Sequence, residues 1–193
     1  MKLNLEGKRI VLASNSPRRK ELLERLGLSF EVVVKHTAEI HPDGTMPHEI
    51  PSFLAKHKAD AVQAAVGAEP IVIAADTIVI QEGRIFEKPE DRAGAIEMLQ
   101  QLSGRQHTVV TGVCILHGSK ELRFSDTTQV FFNELSLDEI EYYVDNYKPY
   151  DKAGSYACQE WIGAVAIHRF EGDFFNVVGL PVNKVYQGLK SFI

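Results

Sequence analysis

The run Pro70-Ile71-Val72-Ile73-Ala74-Ala75-Asp76-Thr77-Ile78-Val79-Ile80 restricts the possible folds more than any other stretch of the chain. It lacks the polar alternation of a strand with one wet face and reads as a central strand covered on both sides. The flanking sequence supplies the cover, because strand-like and helix-like patterns alternate along the chain, the signature of an α/β protein. Strands are predicted at residues 9–13, 30–34, 107–116, 122–132 and 161–170. Helices are predicted from Pro17 to about Leu26, over about 51–66 and 91–102, from the capping-box match at Ser136 to about Asn146, and from Pro181 onward. Gly118-Ser119 joins two of the strands as a hairpin, so the sheet is mixed. No repeat or long Pro/Gly-rich linker interrupts the 193 residues, and one domain over 1–193 is expected.

Composition narrows the chemistry. A formal net charge of -5 argues against a broad nucleic-acid surface, so a basic site must be local and suited to a small anion. Cys114 and Cys158 have neither metal-type nor redox spacing and read as free thiols of a reducing compartment. No stretch has the apolar length of a membrane span, and residues 1–8 are short and polar for a signal peptide. These features lead to the expectation of a cytoplasmic protein acting on a small molecule, without membrane or nucleic-acid partners.

Asp76 breaks the apolar run. A carboxylate there must be hydrogen-bonded, paired or metal-bound to offset its desolvation, unless it caps a neighbouring turn at a strand end. After the turn at Gly83, a hairpin would bring Lys88 back beside it. A second cluster lies earlier, where Ser14-Asn15-Ser16-Pro17-Arg18-Arg19-Lys20 opens the first helix. Ser16 is the expected N-cap and Pro17 the first helical residue. The three cations then sit at the positive end of the helix dipole, where each typically loses about 0.3–1 kcal/mol unless an anion reverses the sign. A phosphate chain would do so; the alternative is a solvated turn with the arginines paired to Glu21 or Glu24. A third cluster, Tyr150-Asp151-Lys152-Ala153-Gly154-Ser155-Tyr156-Ala157-Cys158-Gln159, is rich in small residues that let a backbone approach a ligand. By itself it also fits a surface turn. The loop at 36–48 holds His41, Asp43 and His48 without compact zinc spacing.

The order of the clusters carries more than any one of them. Leu12-Ala13-Ser14-x-Ser16-Pro17-Arg18-Arg19-x-x-Leu22-Leu23, Ala75-Asp76-Thr77, Lys88-Pro89, Leu102-Ser103-Gly104-x-x-His107-x-Val109-x-Thr111-Gly112, Asp151-Lys152-Ala153-Gly154-x-Tyr156-x-x-Gln159 and Val178-Gly179-Leu180-Pro181 together resemble the Maf family of nucleoside triphosphate pyrophosphatases. The resemblance spans about residues 10–190. It implies a mixed twisted sheet flanked by helices, two lobes around a cleft, an architecture related to inosine triphosphate pyrophosphatases, and a homodimer. It implies hydrolysis of a nucleoside triphosphate between the α and β phosphates with Mg²⁺ or Mn²⁺. Asp76 matches the family's proton acceptor and a metal contact, Glu39 the second acidic metal position, and Ser14, Arg18 and Arg19 the phosphate-binding turn. Lys58, Lys88 and Lys152 match the basic ring around the triphosphate, and Thr77 and Gln159 positions near the base.

Two Maf subgroups differ at three places. Arg18, Thr77 and Gln159 match the subgroup acting on dTTP and UTP, where the 7-methyl-GTP subgroup carries Trp, Gln and Glu. A neutral amide satisfies the edge of uracil or thymine, whereas a carboxylate and a flat Trp suit a cationic methylated purine. The competing readings are a pyrophosphatase for purine or non-standard nucleotides and a non-catalytic nucleotide-binding regulator of cell division. Lys148-Pro149 departs from the family pattern, which commonly places an acid before that proline. Cys158 stands where an aliphatic residue is more usual.

Overall fold

The computed structural model describes residues 5, 7–38 and 40–193. The elements run β1 (Ile10–Leu12), α1 (Pro17–Arg25), β2 (Glu31–Val32), α2 (Ile50–Val66), β3 (Ile71–Gln81), β4 (Arg84–Phe86), α3 (Arg92–Leu102), β5 (Gln106–His117), β6 (Lys120–Phe132), α4 (Leu137–Tyr147), α5 (Trp161–Ala166), β7 (Ile167–Glu171), α6 (Phe174–Val178) and α7 (Val182–Leu189). Among the described residues the sheet has seven strands in the order β2-β1-β3-β5-β6-β7, with β4 paired to β3. It is mixed, as the sequence predicts: β1 is parallel to β2 and β3, while β3–β4 and β6–β7 are antiparallel.

Two compact units make up the chain. The first comprises Met1–Asp76, Thr111–Asp126 and Gly179–Ile193. Its core sets Ala55, Ala59 and Val62 of α2 on Val11, Ala13, Val72, Ala74, Cys114 and Leu116. The sheet residues alternate along their strands and the helix residues recur at i, i+4 and i+7, the two periodicities of a helix lying on a sheet. The first turn of α2 comes close enough that a Cβ on Gly112 would lie 2.0 Å from the Ser52 amide nitrogen, so only glycine fits there. The second unit comprises Thr77–Val110 and Thr127–Val178. Leu99 and Leu102 of α3, Ile140, Tyr143 and Val144 of α4, and Val130 and Phe132 of β6 share its core. On the surface, Arg92 at the start of α3 forks onto Asp145 of α4, Nε to Oδ1 at 2.6 Å and Nη2 to Oδ2 at 2.9 Å.

Helix termini follow their chemistry. Ser16 and Asp91 are N-caps, and Ser136 with Glu139 forms the full capping box. The expected strand over 161–170 needs correction. Its first half is α5, in which Ile162 and Ala166 are fully buried four residues apart; only Ile167–Glu171 pairs with β6. The strand predicted at 30–34 shrinks to Glu31–Val32, an exposed edge beside β1. Among the described residues no helix is long and apolar enough to cross a membrane.

Candidate active site

The phosphate-type turn folds as its residues suggest. Parallel pairing of Leu12 with Ile73 ends β1 beside the middle of β3, so Ser14 leaves the strand next to Ala75-Asp76. Ligands of open α/β sheets bind outside the carboxyl ends of parallel strands, which is where this turn lies. Ser14 is buried, and its hydroxyl accepts from the Ser16 amide at 3.2 Å and from Arg19 Nη1 at 3.2 Å. Arg19 Nε donates to the Gly179 carbonyl at 2.8 Å. The guanidinium is thus tethered to main chain and hydroxyl oxygens across the start of α1. Glu21, one of the two acids considered as partners of the arginines, pairs with Arg25 at 2.7 Å. Arg18 lies half-buried in the same first turn.

Asp76 sits inside β3 with 13% of its side chain exposed. Its Oδ1 accepts from Lys58 Nζ at 2.5 Å, and the lysine side chain is 20% exposed. The inward row Ala55, Ala59 and Val62 fixes the roll of α2 and sets the Lys58 face toward β3. The lysine bonded to Asp76 therefore comes from α2 rather than from the β3–β4 hairpin. That hairpin forms, with Val79 opposite Phe86, but its ladder ends at Phe86, two residues before the exposed Lys88. Glu39, the expected second metal position, lies outside the described residues. Asp76 offers hard oxygen donors, which suit Mg²⁺ or Mn²⁺ held by one or two carboxylates together with phosphate oxygens. Among the described residues no group of three or more His, Cys, Asp or Glu gathers into a metal cage.

In the second unit, the loop 150–160 carries Lys152 and Gln159. Lys152 has 8% of its side chain exposed and donates to Asp151 Oδ1 at 2.7 Å, with Glu160 Oε1 at 3.5 Å. Gln159 is exposed, and its Oε1 accepts from the Cys158 thiol at 3.7 Å. Thr77, the first residue of this unit, is half-buried. The loop is pinned at several points. The Gly154 amide donates to the Glu87 carbonyl at 3.1 Å. A Cβ on Gly163 would lie 1.8 Å from the Cys158 carbonyl oxygen, so α5 packs against the loop only because that position is glycine. Tyr156 is buried and its hydroxyl meets His107 Nε2 at 2.7 Å, with Phe132 edge-on to both rings. Burial pushes the His107 imidazole down to about 3 and lifts the Tyr156 phenol well above its ordinary range, so both stay neutral.

Sequence reasoning gave no role to His107, Tyr143, Glu160 or the Gly179 carbonyl. His107 and Gly179 stood within recognised motifs. Tyr143 and Glu160 carried no signal, since their importance depends on a contact between α4 and the start of α5.

A family model described as Maf-like protein matches residues 9–192. The chain belongs to the Maf family. This Maf chain is 50% identical over 192 residues to a Bacteroides fragilis protein named dTTP/UTP pyrophosphatase, covering 99% of this chain and 100% of the relative. It is equally identical to a Porphyromonas gingivalis protein of the same name, covering 98% and 96%. A Cytophaga hutchinsonii relative, again so named, is 48% identical over 182 residues, covering 94% of this chain and 83% of the relative. Among solved structures, the Staphylococcus aureus Ham1 protein shares the fold, with a TM-score of 0.51 at 19% identity over 96% of this Maf chain and 100% of that one.

Proposed function

We propose that this Maf chain hydrolyses dTTP and UTP, releasing the nucleoside monophosphate and pyrophosphate. The observation that carries the proposal is half-identity along nearly the whole chain to relatives named for that activity. Arg18, Thr77 and Gln159 support a pyrimidine substrate. Ser14, Arg18 and Arg19 bind the phosphate chain, with Lys58, Lys88 and Lys152 supplying further positive charge. Asp76 accepts the proton from water as its oxygen attacks the α phosphorus; the bond to the bridging oxygen breaks, and that oxygen leaves with pyrophosphate. Lys58 holds the Asp76 carboxylate in position throughout. A divalent ion held by Asp76 and Glu39 would supply Lewis-acid stabilisation of the phosphate oxygens. A cytoplasmic homodimer is part of the same proposal, with the nucleotide as its partner.

The test is pyrophosphate release with Mg²⁺ or Mn²⁺ across dTTP, UTP, CTP, ATP, GTP, ITP and 7-methyl-GTP. Turnover led by dTTP and UTP is expected. A purine preference overturns the assignment of Arg18, Thr77 and Gln159. Nucleotide binding without turnover replaces the enzyme with a binding regulator. Hydrolysis in ¹⁸O-water places the label in the monophosphate; label in pyrophosphate overturns attack at the α position.

A further inference from the structure

Glu160 occupies the N-cap position of α5, yet its side chain makes no capping hydrogen bond to that helix. Glutamate is a poor N-cap, and here the carboxylate is used elsewhere. Its Oε2 accepts from the Tyr143 hydroxyl, and its Oε1 stands 3.5 Å from Lys152 Nζ. Tyr143 is fully buried on α4, stacked on Tyr147 with ring centroids 5.0 Å apart, and its hydroxyl also accepts the Ala157 amide at 3.2 Å. One phenol thus ties the main chain of the loop carrying Gln159 to the carboxylate beside Lys152.

The charges show why that tie matters. Lys152 lies between two carboxylates, Asp151 at 2.7 Å and Glu160 at 3.5 Å. If both closed on the ammonium they would compete with any phosphate for it. The Tyr143 hydroxyl donates to Glu160 and holds it by the far oxygen, leaving the near one beyond good hydrogen-bonding distance of Nζ. An ammonium has three donors, and only Asp151 takes one at short range. We infer that Tyr143 and Glu160 are positioning residues, which hold Lys152 in place with donors available for the substrate's phosphate chain.

This inference rests on the reading of Lys152 as a phosphate contact, and the test separates the two. Tyr143→Phe keeps the ring and removes the hydroxyl, and Glu160→Gln keeps the shape and removes the charge. In lysine-¹⁵N-labelled, nucleotide-free protein, the Lys152 Nζ resonance, assigned by its loss in Lys152→Met, is expected to move in both variants. An unmoved resonance in both overturns the positioning role whatever the activity. With dTTP, Tyr143→Phe is expected to raise KM about three- to tenfold, less than the loss of a direct charge-assisted hydrogen bond because the hydroxyl acts on the phosphate only through Lys152, with kcat within about twofold. In the Lys152→Met background the same substitution is expected to leave KM unchanged. An equal effect in both backgrounds means that Tyr143 acts through packing alone and overturns the inference. If the wild type fails to hydrolyse dTTP or UTP, the proposed function fails and the resonance shifts still decide the positioning role.

Discussion

Lys58 and Asp76 form an ion pair whose two side chains are both largely buried, so its disruption has a calculable cost. Lys58→Met retains the length of the side chain and removes its charge, leaving the Asp76 carboxylate in β3 without its ammonium. Breaking a fully buried pair costs about 3–5 kcal/mol, because the remaining charge stays desolvated. With 13% of Asp76 and 20% of Lys58 exposed, water recovers part of that, and about 2–3 kcal/mol is expected. In a chain of this size each kcal/mol shifts Tm by about 2–4 °C, so Lys58→Met should melt roughly 4–12 °C below the wild type. Calorimetry at pH 7.5 in the absence of nucleotide and metal measures the shift. The double variant Lys58→Met with Asp76→Asn has no charge left to strand and should recover most of the loss. A Tm within about 1 °C of wild type, or a double variant that melts lower still, would refute the argument that the pair is electrostatically coupled in a low-dielectric setting.

Asp76→Asn should reduce dTTP turnover by about 10²–10⁴-fold while nucleotide binding persists, as removal of a general base does; full activity in the purified variant would reassign the base. His107 is held neutral by burial, down to about 3 against an unfolded value near 6.5. The unfolded chain therefore binds the extra proton, and stability is fully present above pH 6.5 and lost as pH falls from there toward 3. Between pH 6.5 and 5 this residue alone should cost about 2 kcal/mol; denaturant titrations of His107→Phe should show that much less pH dependence, and identical slopes would disprove the linkage. Gly163→Ala forces a Cβ to within 1.8 Å of the Cys158 carbonyl, which flexible side chains cannot relieve. A loss of about 3 kcal/mol and a raised KM for dTTP are expected, and a variant as stable as wild type would mean that α5 and the loop yield freely.

How much of this could be read from the chain depended on how local the physics was. The Ser16 cap, the capping box at Ser136 and the buried strand around Asp76 are decided by neighbours in sequence, and all appear where the pattern placed them. Residues 161–170 misled because Trp161, Ile162, Val165 and Ile167 look like a strand when counted alone. Their first half is helical: Ile162 and Ala166 bury on one face against the core, and Gly163 meets the Cys158 carbonyl just upstream, neither of which shows when residues 161–170 are counted alone.

The same division runs through the site. By itself the sequence determined which side chains are available: the ordered motifs, the lone carboxylate in an apolar strand, and the cations at a helix start. Tertiary structure decided which of them meet. Asp76 pairs with Lys58 rather than with a hairpin lysine because the alanine row of α2 sets that helix's roll on the sheet. Arg19 is tied to Gly179, 160 residues away, because the chain returns there before α7. Glu160 turns from its own helix to Tyr143 and Lys152 because α4 delivers a buried hydroxyl to that point. Periodicity reports only the environment averaged along one element, whereas the partner of a buried charge is set by where other elements come to rest.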